Sequence, residues 1–149
     1  MDGDRPFKDR SPLYEGAHQG IQWCIYQSPL SSVLNGYARI PDGVEIDVDT
    51  LDVHGGITYG SGICSGGWIG FDTAHTGDHW DVEYLRSRVG VHVSPAGIAY
   101  QEMERSMWSG NDWERVWTVE KLRAECERLC EQIATVATRS VGVPREGNQ

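Results

Sequence analysis

The sequence predicts an α+β fold, a small antiparallel sheet with a long C-terminal helix packed on one face. Three observations carry this. Segments rich in β formers fill much of residues 21–49 and return at 57–71, punctuated by Pro, Gly and Asn. One apolar stripe at spacings of three and four runs from Val119 to Val136. Strands first and a long helix last is the order that places a helix on one face of an antiparallel sheet. A chain of 149 residues suits one domain. The expected division is a loosely held arm at 1–20, a single domain at 21–139 and a tail at 140–149.

The arm is polar and interrupted by Pro6, Pro12, Gly16 and Gly20. Residues 21–27 read as a strand, broken by Pro29, Ser31 and Ser32. A second strand is expected at 33–40, with Asn35 and Gly36 as a turn or bulge signal inside it. Pro41, Asp42 and Gly43 have turn chemistry. Residues 44–49 alternate strictly, with Val44, Ile46 and Val48 on one face and Glu45, Asp47 and Asp49 on the other. This suits a half-buried strand with a wet acidic face, or a carboxylate row that helps hold a cation. Six glycines between 55 and 67 surround a short strand at 57–59. Gly60 and Gly62 lack the Lys of a phosphate loop and lead into a strand at 68–71, not into a helix. Short helices are expected at 80–88, where Val82, Leu85 and Val89 recur, and at 98–107, with Asn111 and Asp112 as a break. In the last helix Thr118 is a suitable N-cap. Trp117 and Leu122 have the spacing of a hydrophobic staple, and Arg123 and Glu127 form an i,i+4 pair.

Charge and cysteine content narrow the function classes. The net charge is −9. Between Arg39 and Arg86 there is no Lys or Arg, and nine acids lie there: Asp42, Glu45, Asp47, Asp49, Asp52, Asp72, Asp78, Asp81 and Glu83. The remainder of the chain is balanced, so the whole net charge falls in this stretch. Such a field repels nucleic-acid backbones and attracts cations. No apolar run is long enough to span a bilayer. The first ten residues are charged and lack an apolar signal core, so the cytoplasm is the expected compartment. Cys24, Cys64, Cys126 and Cys130 contain no CxxC pair and read as reduced thiols. Cys126 and Cys130 share the apolar stripe and read as small core residues.

The segment between Leu51 and Asp81 holds His54, His75 and His79, three of the five histidines, with Asp52, Asp72, Asp78 and Asp81. Imidazole and carboxylate are the ligand types of divalent transition metals. Asp72, His75 and Asp78 recur every three residues, so one turn brings them to one side. Gly55 and Gly56 after His54 allow close backbone approach. His54, Asp72, His75 and Asp78 are the expected ligands of a zinc-like divalent cofactor with a position left open, where water can be activated. His54, Gly55, Gly56, Trp68, Asp72 and Trp80 are the expected small-ligand contacts. His75 and His79 have the spacing of a zinc-binding helix, but Gly77 between them and the lack of Glu after His75 argue against it. The same residue types also serve structure, because Asp and His hydrogen-bond loop backbone.

Leu51-Asp-Val-His-Gly-Gly-Ile-Thr-Tyr59 and Trp68-Ile-Gly-Phe-Asp-Thr-Ala-His-Thr-Gly-Asp78 resemble segments of a family of small proteins of phages and bacterial mobile elements. Asn35-Gly-Tyr-Ala-Arg-Ile-Pro-Asp-Gly43 is similar to an upstream segment of that family, where Cys replaces Asn35. The helix segment Glu120-Lys-Leu-Arg-Ala-Glu-Cys-Glu127 also fits, and the likeness covers roughly residues 21–135. It implies a phage-type origin, and hence a bacterial cytoplasm, and specifies no reaction. Three functions follow as expectations. The first is an accessory protein that binds a small ligand or divalent metal. The second is a metal-dependent hydrolase with Asp52 or Asp81 as base. The third is an acidic protein that blocks a basic host partner. Small molecules or a host protein are the expected partners, with no direct nucleic acid and no membrane. Titration of labelled duplex DNA at physiological salt is expected to show no binding, and saturable binding there would overturn the electrostatic argument.

Overall fold

The computed structural model describes residues 5–28, 32–75, 77–108 and 115–142. The expected breaks at Pro29, Ser31, Asn111 and Asp112 lie outside the described residues, as does the tail beyond Gly142. Strands β1 (Tyr14–His18), β2 (Ile21–Gln27), β3 (Leu34–Asp47) and β4 (Ile63–Phe71) form an antiparallel sheet in the order β1-β2-β3-β4. Two-residue strands β5 (Asp78–His79) and β6 (Arg115–Val116) pair in parallel. The helices are α1 (Val82–Tyr84), α2 (Pro95–Trp108) and α3 (Val119–Gly142). The expected antiparallel sheet with a long C-terminal helix on it is the observed architecture. No helix among the described residues is long and apolar enough to cross a membrane.

Local chemistry explains where the sequence reading needs correction. The loose arm does not extend to residue 20: Tyr14–His18 pairs with β2, from Tyr14 opposite Ile25 to His18 opposite Ile21. Gln19 and Gly20 close this hairpin with φ of 53° and 80°, the left-handed pair that matches strand twist in a two-residue turn. Pro41, Asp42 and Gly43 do not end a strand. They form an irregularity inside β3, where the register to β4 shifts between Ile40 and Glu45 and Gly43 takes φ 83°. A missing N–H and a positive φ suit a bulge as well as a turn. Residues 44–47 therefore continue β3, while Val48–Thr50 coil into a 3-10 turn capped by Asp47. Residues 57–59 contribute one bridge, Tyr59 to Gly70, and no strand. The helix expected at 80–88 is α1 followed by one wide turn, Leu85–Val89, ended by Gly90. The tail expected from residue 140 starts as helix, since α3 runs to Gly142.

The core lies between the sheet and α3. Leu122, Cys126, Leu129, Cys130 and Ile133 are fully buried with Trp23, Ile25, Ala38, Ile40 and Phe71. Thr118 Oγ1 accepts from Lys121 N–H at 3.2 Å as the N-cap. Gly36 shows why the helix sits so close. A Cβ there would lie 2.7 Å from both Cys126 Sγ and the Phe71 ring, so the absent side chain is filled by α3. The opposite sheet face carries Cys24, Tyr26 and Tyr37, closed over by Phe7 and Trp68. Phe7 meets Tyr26 and Tyr37 edge to face at 5.0 and 5.4 Å. Because Leu129 is sealed in the main core, Leu129→Ala is expected to cost about 2–5 kcal/mol, read by urea denaturation. A loss well under 1 kcal/mol would make α3 peripheral to the fold.

Candidate functional site

The loop after the 3-10 turn is laced to the polar edge of α3. Asp52 N–H donates to Gln132 Oε1 at 2.8 Å, and Gln132 Nε2 returns a bond to Asp52 O at 2.8 Å. His54 N–H donates to Glu125 Oε2 at 2.7 Å. Arg128 bridges Glu125 and Asp52, at 2.9 and 3.1 Å. Glu125, Arg128 and Gln132 follow one another at helical spacing beside the apolar stripe. Together these bonds fix the backbone on both sides of Val53, which is buried, and set His54 at the end of the loop.

His54 reaches Asp78, the centre of the site. The Asp78 side chain is fully buried. Its Oδ2 lies 2.8 Å from His54 Nε2 and accepts from His75 N–H at 2.9 Å. Its Oδ1 accepts from Trp117 Nε1 at 2.9 Å and from Arg115 Nε at 3.2 Å. A carboxylate has about four lone-pair sites, and this one has four partners. Burial of the charge is tolerable for that reason.

His75 completes the group. Its Nδ1 is buried 3.4 Å from Asp78 Oδ2 and 3.5 Å from Asp72 Oδ1, yet forms a hydrogen bond to neither. The His54 and His75 rings meet edge to face at 5.2 Å, and His54 meets Trp117 at 4.9 Å. Gly55 makes room for this. It has φ 70°, and a Cβ on it would overlap the His75 ring. One donor atom from each of His54, His75 and Asp78 lies within 4.8 Å of the others, so the three are close enough to hold a metal ion.

The other expected contacts are distributed differently. Asp72 approaches His75 from the rim and accepts from Ala74 N–H at 3.0 Å. Gly56 has φ 81° with open space beside it. Trp80 is fully buried behind the group, donates to Thr73 Oγ1 at 2.7 Å and stacks on Trp117 at 6.3 Å. Trp68 packs on the far face of the sheet with Tyr26 and Tyr37. Its neighbours Ile69 and Phe71 differ in placement because strand side chains alternate; both belong to the main core. Asp52 Oδ2 is bound by Arg128, and Asp81 Oδ2 caps α1 by accepting from Tyr84 N–H at 3.0 Å. His79 is buried in β5 and does not join the group. Sequence reasoning missed Arg115 and Glu125, and assigned Trp117 to a helix staple alone. The i,i+2 spacing of Arg115 and Trp117, which sends both side chains to one side of an extended segment, was the available signal.

Burial sets the thiols. It pushes Cys24 and Cys130 up to about 12 and Cys126 well above the ordinary thiol range. All four cysteines are unpaired, and the three buried ones stay protonated, which suits packing and not metal ligation. Glu125 behaves oppositely: burial pushes its carboxyl up, but the Arg128 hydrogen bond, the His54 N–H and the Arg128 charge together hold it below 4.5. A depressed folded value stabilises the fold above the unfolded value, and that contribution fades as pH falls through the folded value. Glu125→Gln is therefore expected to lower stability at neutral pH and to flatten the acid limb below about pH 4.5, read as urea midpoint against pH. An unchanged acid limb would remove Glu125 as the anchor of the His54 loop. Comparison with family models, with curated proteins and with solved structures finds no match to this chain.

Proposed function

We propose that this protein binds a divalent transition-metal ion of the zinc class through His54 Nε2, His75 Nδ1 and Asp78 Oδ2. The observation that carries the reading is that His54, His75 and Asp78 each offer one ligand atom within 4.8 Å of the others. Zinc takes nitrogen and carboxylate ligands at about 2.0–2.2 Å, so tetrahedral ligand atoms stand about 3.4 Å apart. His75 Nδ1 already lies 3.4 Å from Asp78 Oδ2. His54 Nε2 lies at hydrogen-bond distance, 2.8 Å, and opens by roughly half an ångström when an ion replaces the shared proton. His75 Nδ1, buried within 3.5 Å of two carboxylate oxygens but hydrogen-bonded to neither, favours the metal reading, because a buried polar atom without a hydrogen bond costs free energy that a ligand recovers. Around the group, Trp117 and Arg115 hold Asp78 Oδ1, the outer hydrogen bonding that orients metal ligands. Asp72, 3.5 Å from His75 Nδ1, stands at the rim beside a fourth position.

The role is binding, not turnover. Both carboxylates expected as bases are engaged, Asp52 by Arg128 and Asp81 by the α1 N-terminus. With the resemblance to phage and mobile-element proteins, the reading is of a metal-binding accessory protein. Isothermal titration with Zn2+, and with Co2+ followed by visible absorption, tests it. One ion per chain is expected, with tetrahedral Co2+ bands. His75→Ala and Gly55→Ala should each weaken binding by at least about tenfold while circular dichroism stays unchanged. Failure of wild-type protein to bind either ion at micromolar concentration, or equal affinity in His75→Ala, would sink the proposal.

A further inference from the structure

A second feature borders Asp78. A pocket of about 580 Å³ opens between the end of β2, the start of β3, the 73–78 turn and α2. That volume is within the range of small-molecule sites. Its walls include Val33, Thr73, Trp80, Tyr100, Ser32 and Gln101. Gln101 is 3% exposed, and neither its amide oxygen nor its amide nitrogen has a hydrogen-bond partner among the described residues. A buried primary amide with both ends unpaired is rare, because each end gives up its hydrogen bonds to water and regains none. α2 sets it there: the helix starts at Pro95 with Ser94 Oγ accepting from Gly97 N–H at 3.0 Å. Gly97, without a Cβ, lets the Ser32 hydroxyl lie against the helix.

The chemistry of the walls specifies the ligand. Among the described residues that line the pocket there is no Lys or Arg, the one imidazole is His92, and the one carboxylate, Asp78, already has four hydrogen-bond partners. A phosphate or carboxylate ligand would find no guanidinium or ammonium group among these walls, only the His92 imidazole. Trp80, Val33 and Tyr100 supply apolar and aromatic surface. A free amide presents one donor beside one acceptor and pairs bidentately with an edge of the same kind, as Gln does with a nucleobase. We infer that the pocket binds a neutral heterocycle of the nucleobase or nucleoside class, read by the Gln101 side-chain amide. The pocket shares Asp78 with the metal group, but the contacts inferred for the heterocycle do not use the metal.

NMR titration of the full chain with the four nucleosides and their 5′-monophosphates tests the inference. At least one nucleoside is expected to bind, to shift the Gln101 side-chain NH2 and Trp80 indole resonances, and to bind more tightly than its monophosphate. Gln101→Met should weaken that binding at least about tenfold, while the thermal midpoint of the free protein holds or rises because an unpaired amide has been removed. Affinity should be the same with and without chelator. Absence of binding by every nucleoside at millimolar concentration, shifts confined to His54 and His75, loss of binding on chelation, or unchanged affinity in Gln101→Met would each overturn it.

Discussion

The buried carboxylate of Asp78 is the constraint on which the site end of the molecule depends. A charge with no solvent exposure is tolerated only where donors surround it. Here they come from four places in the chain: the His54 ring, the His75 backbone, the Arg115 guanidinium and the Trp117 indole. Satisfying one side chain therefore ties the 51–56 loop, the 72–78 turn and the strand that enters α3 to a common point. Without it the Trp117 N–H and the His75 N–H would be left inside low-dielectric surroundings with nothing to bond. The two-residue pairing of β5 with β6 follows from the same convergence, since Asp78 and Arg115 stand opposite each other in it.

The long helix works in two directions. Its apolar stripe closes the main core, and the adjacent polar row, Glu125, Arg128 and Gln132, holds the His54 loop. This row also changes the electrostatics that the linear sequence suggests. The base-free stretch between Arg39 and Arg86 is answered in space by Arg39 on Asp42, Arg128 on Asp52 and Arg115 on Asp78. The exposed pairs contribute little to stability. They do place positive charge beside His54 and Asp78, so the field at the group is weaker than the tally of nine acids implies.

Features governed by periodicity or residue type were legible in the sequence. The α3 stripe was, because a 3.6-residue period has few other uses. β2, most of β3 and the second half of β4 were, because β-branched and aromatic residues crowd them. The bulge in β3 was not, since Pro, Asp and Gly carry the same chemistry in a bulge as in a turn. β1 was missed because Tyr14-Glu-Gly-Ala-His18 is a polar edge strand with little hydrophobic alternation, held by its pairing with β2. Within the site, His54, His75 and Asp78 could be named from ligand chemistry and spacing. The parity that sends Trp68 to the far face could not, because it depends on which neighbours reach the core. Arg115 and Glu125 come from elements that only the tertiary fold brings to Asp78 and to the His54 backbone respectively.

Native interiors pair nearly all of their buried polar groups, and departures from that rule tend to lie where function has overridden stability. Two of the departures here flank Asp78. On one side, His75 Nδ1 sits within 3.5 Å of two carboxylate oxygens without bonding either. On the other, the Gln101 amide faces a pocket with both ends unpaired. Neither is forced by a shortage of partners. A small rotation of the imidazole would serve the first, and an apolar side chain on α2 would remove the second. Gly55 holds the ring where it is by giving it the volume a Cβ would fill. Asp78 borders both, 3.4 Å from His75 Nδ1 and in the lining of the pocket that holds Gln101. Around Asp78, which has four hydrogen-bond partners, stand two buried polar groups that lack a hydrogen bond.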